Sequence, residues 1–136
     1  MIAIERDSTM TKSPRTREGR SAIAKMIMNL FDLWKISTQE QLLLLGLSQN
    51  SQKSLMLYRA GYPLANKRDI MDRAANLLAI HQSLRILFPK NGDIAYKWPT
   101  TPNRAFQGRT PIELINSQGF AGLLIVRRYL DSEREQ

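Results

Sequence analysis

The chain has 136 residues, no cysteine and one histidine, and its formal charge at pH 7 is +8. This length allows one compact domain or two small helical units that share a core. The lack of cysteine excludes disulfide bonds and thiolate metal sites, and His81 has no second His or Cys with which to form a zinc site, so we expect no metal and no cofactor.

Membrane and export signals are not apparent in the sequence. No apolar run approaches the roughly 20 residues that a membrane-spanning helix needs. The first residues also lack the basic and apolar regions of a signal peptide. We therefore expect a soluble, cytoplasmic protein with no membrane partner.

The positive charge lies mainly in the first part of the chain. Residues 1–100 contain 15 Lys and Arg against 8 Asp and Glu, whereas residues 101–136 contain 5 against 4. Nucleic acid is the commonest partner of such a surface, and a basic face that is only solvated is the alternative.

Residues 1–20 are rich in Ser, Thr and charged side chains and poor in apolar ones, which predicts a mobile basic arm. Its arginines, among them Arg15 and Arg17, are candidates for phosphate or minor-groove contacts. From Ser21 onward, apolar residues recur every three or four positions, which predicts a helix that ends near Ile36.

Two short helices are predicted next. A capping box of Ser37 and Glu40 begins the first, and Gly46 can end it in a left-handed conformation. Ser48 or Ser51 can cap the second helix. Helices joined in this way form the outline of a helix-turn-helix.

The start of the second short helix is polar. Amide side chains there suit base edges in the major groove, while Lys53 and Arg59 can reach phosphates. Gln52 falls where a typical helix-turn-helix has an apolar residue, so we expect an enlarged turn; a helical corner without DNA contact is the alternative. The candidate DNA-binding residues are Arg15, Arg17, Gln49, Asn50, Ser51, Gln52, Lys53 and Arg59.

The strongest helical pattern runs from Asp69 to Phe88. A helical turn from Asp93 to Trp98 and a last helix from Phe120 to Asp131 are predicted after it. No segment shows the alternation of a strand. We therefore predict an all-α fold in which a helix-turn-helix-like region, residues 21–66, packs with a C-terminal helical unit, residues 67–136.

The start of the predicted helix after residue 110 is sharply specified. Thr110 can cap it, Pro111 fits its first position, and Glu113 completes a capping box. Just upstream, Gly108 supplies a sharp turn that lets Asn103 cap a short segment. Phe106, within that segment, is expected to point inward.

No set of residues indicates catalysis. The sequence has no Gly-rich phosphate loop, and His81 lies beside Ile80 and Leu84 in the long helical pattern, which is typical of a hydrogen-bonded packing residue rather than a general base. We therefore expect that the protein is not an enzyme.

The Asn103 to Ile115 segment, together with Gly119-Phe120 and Arg127-Arg128-Tyr129-Leu130, resembles the toxin-binding domain of Xre/MbcA/ParS-type antitoxins. The resemblance extends over about residues 21–131. It implies an antitoxin that neutralises a cognate toxin, typically a RES-domain enzyme that consumes NAD or transfers ADP-ribose. It also implies repression of the protein's own operon through operator DNA, as a homodimer or within a larger toxin–antitoxin complex.

The resemblance places the toxin-binding domain at residues 67–136, and it is most specific from Trp98 to Leu130. Asn103, Gly108 and Pro111 are expected to shape this unit rather than to touch the toxin. The candidate toxin-binding residues are Asn103, Gly108, Pro111, Gly119, Leu123, Val126, Arg127, Arg128, Tyr129, Leu130 and Asp131.

Two mechanisms of inhibition follow from this assignment. In the preferred one, the apolar strip of Leu123, Val126 and Leu130 docks beside the toxin's cleft and closes it by bulk. In the other, Asp131, Glu133 and Glu135 on a mobile tail mimic the phosphates of a bound dinucleotide.

The sequence is also compatible with a second function. The chain is alternatively a stand-alone helix-turn-helix transcriptional regulator whose C-terminal unit serves only for oligomerisation.

Overall fold

The computed structural model describes residues 15–136, and this part of the chain is all-helical. The all-α prediction is therefore confirmed. No helix in these residues is both long and apolar enough to cross a membrane. The helices are α1 Arg17–Trp34, α2 Thr38–Leu44, α3 Gln52–Arg59, α4 Arg68–Leu87, α5 Gly92–Lys97, α6 Pro111–Gln118 and α7 Phe120–Arg134, with short 3-10 segments at Trp98–Thr100 and Arg104–Phe106.

Helix α1 begins earlier than the sequence predicts. Thr16 caps it by accepting a hydrogen bond from the N–H of Gly19 at 2.9 Å. Arg20 donates to the carbonyl oxygen of Leu64 at 2.9 Å, which ties the first turns of α1 to the loop before α4. The predicted mobile arm is therefore corrected at its end: residues 17–20 are helical, whereas residues 1–14 lie outside the described part of the chain.

The two short helices α2 and α3 are present, and the predicted capping box of α2 is confirmed. Ser37 Oγ accepts from the N–H of Glu40 at 3.1 Å, and Glu40 Oε1 accepts from the N–H of Ser37 at 2.9 Å. Gly46 follows α2 at φ +71, the left-handed conformation that ends helices. Residues 45–51 separate α2 from α3, a longer connection than a typical helix-turn-helix has. The helix-turn-helix therefore stays a prediction.

One hydrophobic core joins the two halves of the described chain. Helix α4 packs against α1 and against α7, so it contributes to both halves. Phe31 of α1, Leu77 and Leu84 of α4, and Leu123 of α7 have no exposed surface. Because each such burial stabilises the fold by roughly 1.5–3 kcal/mol, removing either neighbour of α4 would expose the common core.

Helix α7 begins at Phe120 as predicted but continues to Arg134. Asp131 and Glu133 are therefore helical, and Glu135 is the residue that ends the helix. Arg134 donates to Ser83 Oγ of α4 at 3.2 Å, which holds this end of α7 against the core. The prediction of a mobile acidic tail is wrong for these residues.

Candidate functional site

The loop before α6 is organised by Asn103. The Asn103 side chain accepts from the N–H of Ala105 at 2.9 Å, so the predicted cap is confirmed. The backbone carbonyl oxygen of Asn103 accepts from the N–H groups of Phe106 at 3.0 Å and Gly108 at 2.9 Å. Its backbone N–H donates to the carbonyl oxygen of Arg109 at 3.0 Å. Asn103 thus closes the loop, which agrees with the shaping role expected for it.

Two successive residues of this loop have left-handed backbones. Gly108, at φ +85, is the glycine that the sequence indicated for a sharp turn. Gln107 precedes it at φ +60, although left-handed conformations are uncommon for residues other than glycine. Nothing in the residue type of Gln107 signals this conformation.

The start of α6 matches the sequence prediction. Thr110 Oγ1 accepts from the N–H of Glu113 at 3.0 Å, and Glu113 Oε1 accepts from the N–H of Thr110 at 2.8 Å. Pro111 occupies the first helical position and is buried. Pro111 therefore shapes the unit from within and offers no surface for a partner.

An aromatic cluster connects this loop to α7. The rings of Phe106 and Tyr129 meet edge to face with centroids 5.3 Å apart, and the rings of Trp98 and Tyr129 stack at 6.2 Å. Phe106 is buried, as predicted, and Tyr129 is half-buried. Aromatic pairs of this geometry stabilise contacts beyond their buried area, so the cluster fixes the loop relative to α7.

Two glycines shape the junction of α6 and α7. Gly119 lies between the helices at φ +62 and ψ −138, a backbone conformation that favours glycine. Gly122, in the first turn of α7, lies against the backbone of Leu114 and Ile115. The sequence assigned Gly119 but missed Gly122, whose only signal is a small residue within an apolar helical run.

The apolar strip expected to dock on a toxin faces the protein's own core. Leu123 and Val126 are 0% exposed and Leu130 is 1% exposed. Their spacing places them on the face of α7 that packs against α4 and α6. The assignment of these three residues as toxin contacts is therefore corrected: they hold α7 in place.

The outward face of α7 carries a different set of residues, which we call the α7 outer stripe: Ala121, Ile125, Arg128 and Ser132. All four are exposed and recur at helical spacing. Ile125 is 40% exposed. The stripe thus places one large apolar side chain, Ile125, and one cationic side chain, Arg128, on an open helical surface.

The arginines of α7 differ in their partners. Arg127 donates to Asn76 Oδ1 at 2.8 Å and lies 3.9 Å from Asp131 Oδ2, and Arg134 bonds to Ser83. Arg128 makes no hydrogen bond or ion pair with any residue of 15–136. Of the two arginines assigned by sequence, Arg128 is therefore the one whose guanidinium is available to a partner.

The candidate DNA-binding residues divide into separate groups. Gln49, Asn50, Gln52 and Lys53 are exposed together around the start of α3. Ser51 is half-buried, and its Oγ lies 3.2 Å from Ser48 Oγ. The exposed four form a compact polar surface.

The remaining candidates lie elsewhere. Arg59 Nη1 is 2.7 Å from Asp32 Oδ2 in an exposed ion pair, so its charge is partly compensated within the protein. Arg17 begins α1 and lies roughly 22 Å along the helix axis from Asp32. Arg15 bonds to Asn66 at 3.3 Å. The structure does not bring Arg15 and Arg17 together with Arg59.

His81 packs in the structure. Its ring stacks on Tyr96 with centroids 5.9 Å apart, and its Nδ1 is buried without a hydrogen-bond partner among the described residues. The sequence predicted a packing residue at this position, but one that makes a hydrogen bond, which Nδ1 does not make within the described residues. Burial, together with the nearby charge of Arg85, lowers the pKa of His81 from its ordinary value.

Residues 83–135 match the family profile described as the antitoxin Xre/MbcA/ParS C-terminal toxin-binding domain. The matched segment begins in the second half of α4 and includes the Asn103 loop, the aromatic cluster, α6 and α7. A comparison with curated proteins finds no match. The family match supports an antitoxin role with a cognate toxin as partner, and it suggests a non-enzymatic regulatory protein. The C-terminal part of this chain is therefore similar to the toxin-binding domain of Xre/MbcA/ParS antitoxins.

Proposed function

We propose that the chain is the antitoxin of a type II toxin–antitoxin system. It binds and masks a RES-like toxin that consumes NAD or transfers ADP-ribose, and it represses its own operon by binding operator DNA. The family match over residues 83–135 is the observation that carries this proposal. The toxin is expected from the reading frame adjacent to the gene for this chain, and both act in the cytoplasm.

Toxin binding is assigned to the α7 outer stripe. Leu123, Val126 and Leu130 are buried and therefore not accessible to a toxin, which leaves the exposed face of α7 as the candidate contact. Ile125 supplies an exposed apolar contact, and the guanidinium of Arg128, which has no partner within residues 15–136, can bind a carboxylate or phosphate through two parallel hydrogen bonds. Arginine is also enriched among the residues that dominate interface energies.

The rest of the unit supports this surface. The Trp98, Phe106 and Tyr129 cluster holds the Asn103 loop against α7 before any partner arrives. A surface that is already ordered loses less conformational entropy on binding. Asp131, Glu133 and Glu135 stay on or at the end of a helix, so inhibition by bulk is favoured over mimicry by a mobile anionic tail.

Growth rescue tests the proposed antitoxin role. The chain is co-expressed with the toxin from the adjacent reading frame, and Ile125→Asp and Arg128→Glu should each reduce rescue. Met56→Asp on α3 and Arg68→Glu at the start of α4 are matched controls, because both residues are exposed and lie outside the matched segment. Absence of rescue by the unmodified chain contradicts the antitoxin role, whereas full rescue by both α7 variants contradicts only the α7 outer stripe.

Operator binding is assigned to the exposed polar surface at the start of α3. Lys53 has no ion-pair partner among the described residues, so its charge is available to a DNA phosphate. Gln49, Asn50 and Gln52 provide amide groups that suit base edges. Repression as a dimer, or within a larger complex with the toxin, agrees with the two-fold symmetry of most operators.

A further inference from the structure

A cavity lies between the end of α1 and helix α5, and we call it the α1–α5 cavity. Its volume is about 280 Å³, close to the lower end of the roughly 300–1,000 Å³ that is usual for small-molecule sites. Leu33 and Trp34 of α1 and Tyr96 of α5 form its apolar walls. Two aromatic rings and one aliphatic side chain suit a flat aromatic ligand.

The aromatic walls of the α1–α5 cavity are held in place by the rest of the protein. Trp34 is 2% exposed. The Tyr96 hydroxyl accepts from Arg85 Nη1 at 3.1 Å, and the Tyr96 ring stacks on His81 with centroids 5.9 Å apart. Because these walls are already ordered, binding of a ligand has a low entropic cost for the protein.

One wall contains a hydrogen-bond donor without an acceptor. The Nε1 of Trp34 is buried and has no hydrogen-bond partner within residues 15–136. Buried donors are almost always paired, and an unpaired one is unfavourable. A ligand that brings an oxygen to this wall would therefore be stabilised by the indole N–H.

The charged side chains of the cavity indicate which kind of ligand oxygen fits. Lys35 and Lys97 line the cavity, and neither ammonium group has an ion-pair partner in the described part of the chain. Two carboxylates also line it: Asp32 pairs with Arg59 at 2.7 Å, whereas Asp93 has no ion-pair partner among residues 15–136. Two available cations thus lie beside one available anion. An excess of one positive charge favours a singly charged carboxylate over a doubly charged phosphate.

We propose that the α1–α5 cavity binds a small aromatic carboxylate. Its ring packs against Leu33 and Tyr96, and its carboxylate accepts hydrogen bonds from Lys35, Lys97 and the Nε1 of Trp34. The cavity joins α1, which precedes the matched segment, to α5, which lies within it. Binding therefore stabilises the contact between the two halves of the chain. The site does not depend on toxin or operator binding.

Titration of the full chain with naphthalene-2-carboxylate tests the site, with the indole N–H signals followed by proton–nitrogen correlation NMR. The chain contains two tryptophans, and Trp98→Phe identifies the signal of Trp34. That signal should shift with a dissociation constant of about 1 mM or less. Naphthalene-2-carboxamide has the same ring without the charge and should bind about tenfold more weakly. No shift of the Trp34 signal at about 10 mM carboxylate, or equal binding of the two compounds, would overturn the proposal.

Charge substitutions test whether the carboxylate binds in this cavity. Lys35→Gln and Lys97→Gln should each weaken binding by about threefold, whereas Asp93→Asn should strengthen it by a similar factor because it removes a repulsion. Lys90→Gln is the matched control, since Lys90 is exposed and does not line the cavity, and it should leave the dissociation constant unchanged. Equal dissociation constants in all four variants would overturn the proposal. Circular dichroism establishes that each variant is folded.

Discussion

Gly122 of α7 lies directly against the backbone of Leu114 in α6. A Cβ added to Gly122 would lie 2.6 Å from the carbonyl oxygen of Leu114. It would also lie 3.0 Å from Cα of Ile115, so backbone rather than a flexible side chain blocks this position. The close approach of α6 and α7 therefore requires glycine at residue 122.

Gly122→Ala should lower the free energy of unfolding by about 1–3 kcal/mol, because the two helices must move apart. Urea unfolding followed by circular dichroism measures this change. Ser132→Ala, an exposed substitution on the same helix, is the control and should have little effect. Equal unfolding midpoints for the two variants would show that the junction accommodates a methyl group.

Asn103→Ala should destabilise the fold by about 1 kcal/mol, since the N–H of Ala105 loses its side-chain acceptor. Asn103→Asp keeps that acceptor and should retain most of the stability. The comparison separates the capping bond from other effects of changing Asn103. Similar losses in both variants would contradict the capping role.

Protonation of His81 should make stability depend on pH. Its pKa is lowered in the folded protein, mainly by burial and also by Arg85, so the unfolded chain binds the proton more readily. The folded protein is therefore stabilised relative to the unfolded chain as long as His81 is neutral in both states. This stabilisation is complete above about pH 6.5, the ordinary pKa of histidine, and it is lost as the pH falls through the lowered pKa. Urea midpoints from about pH 7.5 down to pH 5 should therefore fall more in the native protein than in His81→Phe. An identical pH dependence would exclude His81 as the cause.

Operator binding should depend more on Lys53 than on Arg59. Lys53→Ala removes a charge that has no ion-pair partner in the described part of the chain, and it should weaken binding and reduce its salt dependence by roughly one phosphate contact. Arg59→Ala should have a smaller effect because Asp32 already partly compensates that charge. Gel shifts at several salt concentrations measure both, with Lys90→Ala in the C-terminal part as the control. Equal effects of the Lys53 and Arg59 variants would contradict this ranking.

The sequence predicted the features that depend on neighbouring residues. The capping boxes at Ser37 and Thr110 and the cap at Asn103 involve groups only two or three positions apart, so the residue types suffice. Helical spacing likewise indicated α4 and α7 with small errors at their ends.

Features that depend on distant contacts could not be predicted in the same way. The extra turn of α1 is held by a bond from Arg20 to the carbonyl oxygen of Leu64, and the end of α7 is held by a bond from Arg134 to Ser83. The spacing of Leu123, Val126 and Leu130 identifies an apolar face, but it does not tell whether that face meets α4 or another protein. This ambiguity explains why the sequence assigned the strip to toxin binding, whereas in the structure the strip belongs to the core.

Burial of that strip also decides how toxin binding should be tested. Deleting residues from Gly119 onward would remove Leu123 and its neighbours from the core beside α4, so loss of function would also reflect unfolding. Single substitutions in the α7 outer stripe avoid this difficulty, since Ile125 and Arg128 are exposed.

Titration calorimetry between the purified chain and the toxin from the adjacent reading frame tests the antitoxin role most directly, and NAD consumption by the toxin is the readout of masking. The native chain should bind and stop NAD consumption, whereas Ile125→Asp should remain folded, bind at least about 30-fold more weakly and leave the toxin active. If the native chain neither binds nor inhibits, the antitoxin role is contradicted. If folded Ile125→Asp binds and inhibits as the native chain does, the toxin contact lies outside the α7 outer stripe.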